Sequence, residues 1–471
     1  MTDVVIIGGG PGGYEAALVG QQLGGKVTLI ERHGIGGSAV LTDVVPSKTL
    51  IAVAHVMNRI ADAGKLGLRL ENGSSDIAGA IRVDMAEVHG RIRRLAVQQS
   101  ADIRNRLESD GVRVIEGRGR LNGRREVIAI SGQGQEEHLP ADIILVSTGA
   151  HPRELPTAVP DGERICTWAQ IYNLTTLPEH LIVVGSGVTG AEFAGAYQAL
   201  GVKVSLISSR HQVLPGQDDD AGAVIQRLYE ERGITIYNDA RAIGAVRRGD
   251  EVAVQLEDGR EVTGSHCLMA VGSIPNTSGI GLEEAGVELT ETGHILVDKV
   301  SRTAARGVYA AGDCTKGFAT ASVAAMQGRI AMWHSLGDAV TPLMLNTVSA
   351  AVFTSPEIAT VGVQQKDLDE GRVRARSVML PFRSNARAKM RELHEGFVKI
   401  FCLPTTNIVI GGVIVSPLAS ELIHTLSVAV RHKLTVDQLV EAFTVYPSLS
   451  GSVAEAARRL HGHEAMQVVV H

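Results

Sequence analysis

Short apolar runs and helical repeats alternate along the chain, and clusters of glycine separate them. At the start, residues 4–7 form an apolar run typical of a buried strand, residues 8–13 are rich in glycine, residues 14–23 predict a helix and residues 26–31 predict a second strand. Strand, glycine turn, helix and strand in this order make the first half of a β-α-β unit. The pattern therefore predicts an α/β fold that begins with a parallel sheet.

The first glycine turn has the GxGxxG spacing, with Gly8, Gly10 and Gly13 at the three positions and Glu31 at the end of the second strand. In such a turn the first glycine permits a tight bend, the second lets backbone amides approach a pyrophosphate, and the third lets helix and strand pack. An acid about 20 residues later suits the ribose hydroxyls. We predict a dinucleotide site here, to which we also assign Pro11, Gly12 and Arg32.

The same arrangement returns in the middle of the chain. It consists of an apolar strand over 181–184, a turn with Gly185, Gly187 and Gly190, a helix over 191–200 and a strand over 202–207. The acid is missing, because Ser208 stands where Glu31 stands in the first unit, and Arg210 follows. An acid at this place repels a ribose 2′-phosphate, whereas arginine accommodates one. We expect this site, with further contacts from Val188, Thr189, Ser208, Ser209, Arg210 and Gly272, to accept NADPH.

The rest of the chain divides around these two units. A long helix is predicted over 84–110. Two strands, 143–146 and 266–271, run into turns that contain Thr148 and Gly149 in one case and Gly272 in the other, and each turn is interpreted as a crossing between domains. Strands over 351–353, 398–402 and 408–415 and helices over 418–432 and 436–443 predict a further folded domain.

Composition narrows the class of protein. At 471 residues the chain has room for about three domains, and 44% hydrophobic residues suffice for folded cores. Its net charge of −6, without long runs of one sign, argues against nucleic acid as a partner. The four cysteines, at 166, 267, 314 and 402, form no close pair, so neither a metal site nor a disulfide scaffold is expected. With no basic leader and no apolar run of 18 residues, we expect a cytoplasmic protein without integral membrane association.

Two dinucleotide turns in one chain imply an electron-transfer pair, commonly a flavin and a nicotinamide. With these motifs the chain resembles the flavoprotein disulfide reductases, the class I pyridine nucleotide-disulfide oxidoreductases that include lipoamide dehydrogenase and glutathione reductase. Residues 307–313 are similar to the family's second flavin motif, which implies that Asp313 binds the ribityl chain of FAD. The helix over 321–334 would aim its N-terminus at the flavin. The resemblance implies further flavin contacts at Gly37, Ser38, Lys48, Gly119, Thr148, Gly149, Gly312, Ala319 and Thr320.

The chain departs from the family where the disulfide chemistry is carried out. Residues 36–48 are similar to the family's redox segment, but Ala39 and Val44 stand at its two cysteine positions. A disulfide relay needs one thiolate beside the flavin and another that attacks the substrate. Residues 444–451 are similar to the C-terminal motif, with Tyr446 at the histidine position and Gly451 at the glutamate position. A tyrosine is a poor base at neutral pH, although it can donate a hydrogen bond.

The half reaction that reduces the flavin is retained. Lys48 and Glu192 match the ion pair that the family keeps near the flavin and the nicotinamide. We therefore predict a homodimeric FAD enzyme, with Lys48, Glu192 and Tyr446 as catalytic residues, that passes two electrons from NADPH or NADH to a quinone rather than to a disulfide. Two alternatives stay open. One is hydride exchange between NADPH and NAD, which is favoured by the resemblance of Tyr446-Pro447 to the Tyr-Pro pair of soluble transhydrogenase. The other is a non-catalytic FAD-binding redox sensor.

These arguments give the expected architecture. Two Rossmann-like domains, one for FAD and one for NAD(P), are followed by a C-terminal α+β interface domain through which two chains dimerise. The FAD domain is expected to be discontinuous, over 1–150 and 272–342. The NAD(P) domain is expected over 151–271 and the interface domain over 343–471.

Overall fold

The computed structural model describes residues 1–461, so the last ten residues of the predicted interface domain lie outside the described part. The chain opens with a strand, a helix and a second strand, as its apolar pattern predicts. The elements up to the first crossing are β1 (Asp3–Ile7), α1 (Pro11–Gln22), β2 (Lys26–Glu31), α2 (Gly37–Leu41), α3 (Val44–Asp62), α4 (Met85–Ser109), β3 (Arg113–Leu121), β4 (Glu126–Ser131), β5 (Glu136–Pro140), β6 (Ile143–Val146) and β7 (Ala150–Pro152).

The second run of elements begins after β7. It comprises β8 (Ile165–Thr167), β9 (His180–Val184), α5 (Val188–Ala199), β10 (Lys203–Ile207), α6 (Asp219–Glu231), β11 (Thr235–Tyr237), β12 (Ala242–Arg248), β13 (Glu251–Leu256), β14 (Glu261–Gly264), β15 (His266–Met269) and β16 (Ser273–Pro275). Five strands form a parallel sheet in the order β11-β10-β9-β15-β8, and β12, β13 and β14 form a separate antiparallel sheet.

The chain then returns to the first sheet through β17 (Val308–Ala310) and α7 (Ala321–Ser335). The completed sheet has the order β17-β6-β1-β2-β3-β4-β5, parallel from β17 to β3 and antiparallel beyond. Its central strand β1 is buried on both faces, which is why residues 4–7 are apolar without alternation. Where the chain leaves and re-enters this sheet, β7 and β16 pair as a two-stranded ribbon.

The helices α1 and α7 lie in close contact beside β1. A Cβ atom on Gly328 of α7 would stand 2.0 Å from the carbonyl oxygen of Gly12 in α1, so glycine is required for this approach. Arg329 and Glu15 add an ion pair across the two helices at 2.8 Å. As a result, the N-termini of both helices open on the same side of the sheet.

The last domain is an α+β unit. It contains β18 (Ser349–Val352), β19 (Glu357–Gly362), α8 (Gln365–Asp369), β20 (Arg376–Pro381), α9 (Ala386–Met390), β21 (Phe397–Cys402), β22 (Val409–Ser416), α10 (Ala419–His432), α11 (Val436–Glu441) and α12 (Gly451–Leu460). Its strands form one antiparallel sheet in the order β18-β19-β22-β21-β20. The predicted α/β class with two Rossmann-like domains and a C-terminal α+β domain is confirmed.

Helix boundaries differ from the sequence-based expectation at the two glycine turns. Helix α1 begins at Pro11 rather than at residue 14, and α5 begins at Val188 rather than at residue 191. In both cases the second glycine of the motif, Gly10 or Gly187, is the N-cap, so the later turn residues already belong to the helix. Proline fits the first position of α1, because its missing N–H would have no helical acceptor there.

One helical stretch, residues 37–66, is long and apolar enough to span a membrane by length and composition alone. It is not a single straight helix, because α2 ends at Leu41 and α3 begins at Val44. The stretch also carries Lys48, which makes an ion pair inside the fold, and buries Leu50 and Ile51 in the core. These contacts identify α3 as a core helix of the first domain.

Candidate active site

A cavity of about 970 Å³ opens at the carboxyl ends of β1, β2 and β6. It extends from the first glycine turn past α2 to the ribbon of β7 and β16. Most of the predicted flavin-site residues line it: Gly8, Gly10, Pro11, Gly12, Glu31, Arg32, Gly37, Ser38, Gly119, Thr148, Gly149, Gly312, Asp313, Ala319 and Thr320. A parallel sheet binds its ligands at this edge, so the cavity lies where the topology places a dinucleotide.

The first glycine turn has the shape that a pyrophosphate requires. Gly8 has φ +103°, and a Cβ atom there would stand 2.1 Å from the carbonyl oxygen of Ser147. A Cβ atom on Gly13 would stand 1.8 Å from the carbonyl oxygen of Gly8, which explains why Gly13 packs inside the turn and does not line the cavity. Gly10 has open space at its Cβ position, so a ligand can approach the backbone. The α1 N-terminus therefore offers free amides to phosphate.

The carboxylate of Glu31 is held in place at the edge of this cavity. Its Oε2 accepts a hydrogen bond from the Gly9 amide at 2.7 Å, and its Oε1 accepts one from the His33 amide at 2.7 Å. Each carboxylate oxygen can accept a further hydrogen bond. The side chain is thus oriented with acceptor capacity left for ribose hydroxyls, and the cavity residues fit the adenosine and pyrophosphate of FAD.

The segment between Gly37 and Lys48 forms the wall of the cavity without sulfur. Ala39 on α2 and Val44 at the start of α3 both line it. All four cysteines of the chain are free and buried. Cys314 directly follows Asp313, which lines the cavity, but the Cys314 side chain is fully buried. Burial raises the pKa of the Cys314 thiol to about 11, so no thiolate is available at this wall near neutral pH.

The ion pair of Lys48 and Glu192 joins all three domains. Lys48 Nζ of α3 lies 2.7 Å from Glu192 Oε2 of α5. The other oxygen of Glu192 accepts the backbone N–H of Phe353, just after β18, at 2.8 Å. Lys48 Nζ also lies 5.0 Å from the centroid of the Phe353 ring. Glu192 is only 3% exposed. Neither Lys48 nor Glu192 is among the residues that line the cavity.

The second glycine turn repeats the geometry of the first. Gly185 has φ +106°, a Cβ atom on Gly190 would stand 1.8 Å from the Gly185 carbonyl oxygen, and Gly187 has open space at its Cβ position. The turn thus exposes the N-terminus of α5, with Val188 and Thr189 in its first turn. Gly272, at the crossing after β15, has φ +98° and nothing within 4 Å of a Cβ atom.

In the loop after β10, Ser208 stands at the position that Glu31 has in the first dinucleotide unit. The hydroxyl of Ser208 is buried, 2.7 Å from the Ser186 hydroxyl, and donates to the carbonyl oxygen of Arg210 at 3.0 Å. Ser208 therefore holds the loop to the glycine turn instead of facing solvent. Ser209 and Arg210 are exposed beside it, so the guanidinium of Arg210 is free to meet an anion.

Tyr446 does not line the cavity of its own chain. Its side chain is 86% exposed, and it lies between α11 and α12 beside the exposed Val445 and near Phe443. Helix α12 begins at Gly451. Three exposed apolar side chains in one short segment are typical of an interface surface.

Sequence reasoning missed Asp43, an acid of the cavity wall. Asp43 is the N-cap of α3 and stands directly before Val44. Asp43 is one of the residues that line the cavity. Burial raises the pKa of Asp43 to about 6; Lys48 lowers it, while Glu192 and Asp313 raise it further. The sequence feature that could have indicated Asp43 is its place between Ala39 and Val44, the two apolar residues at the family's cysteine positions.

Comparison with known proteins agrees with this geometry. The profile of the pyridine nucleotide-disulphide oxidoreductase family matches residues 2–328, and the profile of its dimerisation domain matches residues 348–457. The chain belongs to the pyridine nucleotide-disulphide oxidoreductase family. The family implies FAD and a nicotinamide dinucleotide as cofactors, which the two glycine turns fit.

Individual relatives cover nearly the whole chain. A Mycobacterium tuberculosis protein named NAD(P)H dehydrogenase (quinone) is 52% identical, covering 98% of this chain and 95% of the relative. The crystal structure of LpdA from the same organism has 51% identity and a TM-score of 0.93, covering 98% of this chain and all of that one. A dihydrolipoyl dehydrogenase of Chlorobaculum parvum is 32% identical over 97% of this chain and 96% of the relative.

Proposed function

We propose that this protein is an FAD-dependent NAD(P)H dehydrogenase that reduces quinones and has no disulfide reductase activity. The observation that carries the proposal is the cavity wall, where Ala39 and Val44 occupy both sulfur positions while every cysteine is buried elsewhere. Electrons that enter the site must therefore leave to an acceptor that comes into the cavity itself. The 52% identical relative named NAD(P)H dehydrogenase (quinone) supports a quinone as that acceptor.

We assign the cofactor contacts from the geometry above. Residues of the first turn, with Glu31, Arg32, Gly37, Ser38, Gly119, Thr148, Gly149, Gly312, Asp313, Ala319 and Thr320, would hold FAD, and residues of the second turn, with Gly272 at the crossing, would hold the nicotinamide dinucleotide. When bound, FAD supplies the group that accepts a hydride and passes on two electrons. Lys48 and Glu192 would fix the position of α3 against α5 and so align the two dinucleotide sites.

The test uses the purified holoprotein. We expect NADPH-dependent reduction of menadione and no turnover with lipoamide or glutathione disulfide. As a matched control, a dihydrolipoyl dehydrogenase assayed in parallel must reduce lipoamide. Disulfide turnover by the present protein at a comparable rate would overturn the proposal.

Arg210 is the proposed contact for the 2′-phosphate of NADPH. The exposed guanidinium and the missing acid at Ser208 support acceptance of NADPH. The variant Arg210→Ala should raise the KM for NADPH about tenfold and leave the KM for NADH nearly unchanged, since one charge-assisted contact is worth about 1.4 kcal/mol or more. Arg241→Ala, on a different loop of the same domain, serves as the control. Equal losses with both nucleotides would remove Arg210 from this role.

A homodimer in the cytoplasm completes the proposal. The exposed Phe443, Val445 and Tyr446 and the family's dimerisation profile support a second copy as the partner that covers this segment. Tyr446 would then reach the partner's active site, in keeping with the resemblance. Sedimentation should give a dimer, and Phe443→Ser should weaken it. Four free cysteines, all buried, suit a reducing compartment.

Hydride exchange between NADPH and NAD is the second candidate. It is favoured by the nicotinamide site, where Arg210 can contact the 2′-phosphate of NADPH and where no acid would repel that phosphate. The rate from NADPH to a thio-NAD analogue, compared with the rate to menadione, separates the two functions. A faster first rate would favour transhydrogenation.

A further inference from the structure

Asp43 stands between the two positions from which sulfur has been lost. It follows α2, which carries Ala39, and it directly precedes Val44 of α3. An aspartate at an N-cap usually turns its carboxylate onto the first helical amides. The Asp43 side chain makes no such capping bond. Asp43 is one of the residues that line the cavity, so an acid stands at the wall that the proposed acceptor approaches.

Charged and titratable groups surround Asp43 from every element packed around it. Lys48 lies one turn further along α3, Glu192 comes from α5, Asp313 follows β17, and Tyr172 lies in the short 3-10 turn over 171–173. The Lys48 ammonium is already bound to Glu192 at 2.7 Å. The positive charge nearest to Asp43 is therefore largely balanced, and two further carboxylates disfavour ionisation of Asp43.

The other groups are less suited to proton transfer. Tyr172 is buried, and burial holds the pKa of its phenol well above the ordinary value. Lys48 and Glu192 do not line the cavity. Asp313 does line it, but the flavin motif assigns its carboxylate to the ribityl chain. Asp43 is thus the acid at the wall with no other assigned task.

Quinone reduction has a proton requirement that this acid can meet. A quinone becomes a hydroquinone by taking up two electrons and two protons. A hydride equivalent from NADPH supplies both electrons and one proton, so one more proton is needed at the second oxygen. General acids placed within reach of such an oxygen accelerate reactions by about 10² to 10⁴.

We propose that Asp43 is the proton donor to the quinone oxygen. In this step the carboxylic O–H bond of Asp43 breaks and an O–H bond forms on the quinone, which leaves hydroquinone and the Asp43 carboxylate. The carboxylate regains a proton from solvent through the open cavity. The inference rests on the proposed quinone reductase function, because it concerns the acceptor half reaction of the same site.

The first test follows the protonation of Asp43 in the absence of turnover. The absorption spectrum of the oxidised holoprotein is titrated between pH 5 and 8 in the wild type, in Asp43→Asn and in Asp62→Asn. Asp62 ends the same helix, with its side chain 59% exposed, and serves as the matched control. We expect a spectral transition near pH 6 in the wild type and the control and none in Asp43→Asn. The same transition in all three proteins would overturn the assignment.

The second test separates the two half reactions by anaerobic stopped flow. Reduction of the bound flavin by NADPH should change less than twofold in Asp43→Asn, whereas re-oxidation by menadione should slow about 100-fold. Because the acid must be protonated to donate, wild-type re-oxidation should also fall as pH rises through about 6. Asp43→Glu should restore part of the rate and the pH dependence, which a purely structural role would not predict.

The outcomes distinguish this inference from the proposed function. A wild type that does not reduce quinones overturns both. A wild type that reduces quinones, with Asp43→Asn and Asp43→Ala re-oxidised at the wild-type rate and with an unchanged pH profile, overturns the role of Asp43 alone. If Asp43→Asn fails to bind FAD, the same comparison is made with Asp43→Glu, whose pH profile must then shift relative to the wild type.

Discussion

The ion pair of Lys48 and Glu192 gives the most specific stability prediction, because removing Lys48 and removing the Glu192 charge should lower the free energy of unfolding by different amounts. Replacing Lys48 by Met leaves the 3% exposed Glu192 carboxylate with only the Phe353 amide as a donor. Removing one partner of a buried pair costs about 3–5 kcal/mol. Since the Lys48 side chain is 28% exposed, water reaches this side of the pair, and we expect about 3 kcal/mol.

Glu192→Gln should be milder. The glutamine can still accept the Phe353 N–H through its amide oxygen, and Lys48 can be solvated at its partly exposed end. We expect a loss of about 1–2 kcal/mol for this variant. The double variant should be more stable than Lys48→Met alone, because no uncompensated carboxylate remains.

Urea unfolding followed by flavin fluorescence measures all three variants, and stopped flow measures reduction by NADPH in the same preparations. We expect reduction to slow in both single variants while FAD stays bound. A free energy of unfolding for Lys48→Met within about 0.5 kcal/mol of the wild-type value would contradict this prediction, and so would a double variant less stable than Lys48→Met.

Four further predictions follow from individual contacts. Asp43→Asn should stabilise the protein by up to about 3 kcal/mol at pH 7.5 and not at pH 4. The pKa of the Asp43 carboxyl is raised from 3.8 to about 6, so this group stabilises the fold at low pH and loses that contribution as the pH rises through 6. Urea unfolding at the two pH values checks this prediction. Gly13→Ala should abolish FAD binding, because its Cβ atom would meet the Gly8 carbonyl oxygen at 1.8 Å; FAD content after dialysis measures it. Gly190→Ala, with the same clash at Gly185, should retain FAD and lose reduction by NADPH, and a normal bleaching rate would contradict the assignment. Lys399→Met should destabilise the contact between the second and third domains by about 3 kcal/mol, because Asp218 loses its buried partner at 2.9 Å; limited proteolysis compared with wild type detects it.

The sequence was most informative where structure is local. Each glycine turn could be predicted because its function depends on backbone conformations within six residues, and the positive φ of Gly8 and Gly185 matches that requirement. The apolar run of residues 4–7 predicted a strand buried on both faces for the same reason. Only the helix starts were misplaced, by three residues each, because the last motif glycines fold into the first helical turn.

Long-range geometry was harder to predict. The pairing of Lys48 with Glu192, 144 residues apart, came from family resemblance, and nothing in the sequence indicated that the Phe353 amide joins them. Asp43 was missed because an isolated aspartate before a helix is usually a capping residue. Ser208 was assigned to the nicotinamide site, and the fold turns its hydroxyl inward to Ser186. The proposed partner of Tyr446 is a second copy of the chain, which the sequence of one copy does not describe.

The central claim is that electrons enter this protein through a flavin and have no sulfur path by which to leave. Anaerobic reductive titration of the purified holoprotein with dithionite tests it most directly. We predict complete bleaching of the flavin after one two-electron equivalent per FAD, with no further uptake. Uptake of a second two-electron equivalent, with two new reactive thiols appearing at the same time, would reveal a redox disulfide and contradict the account.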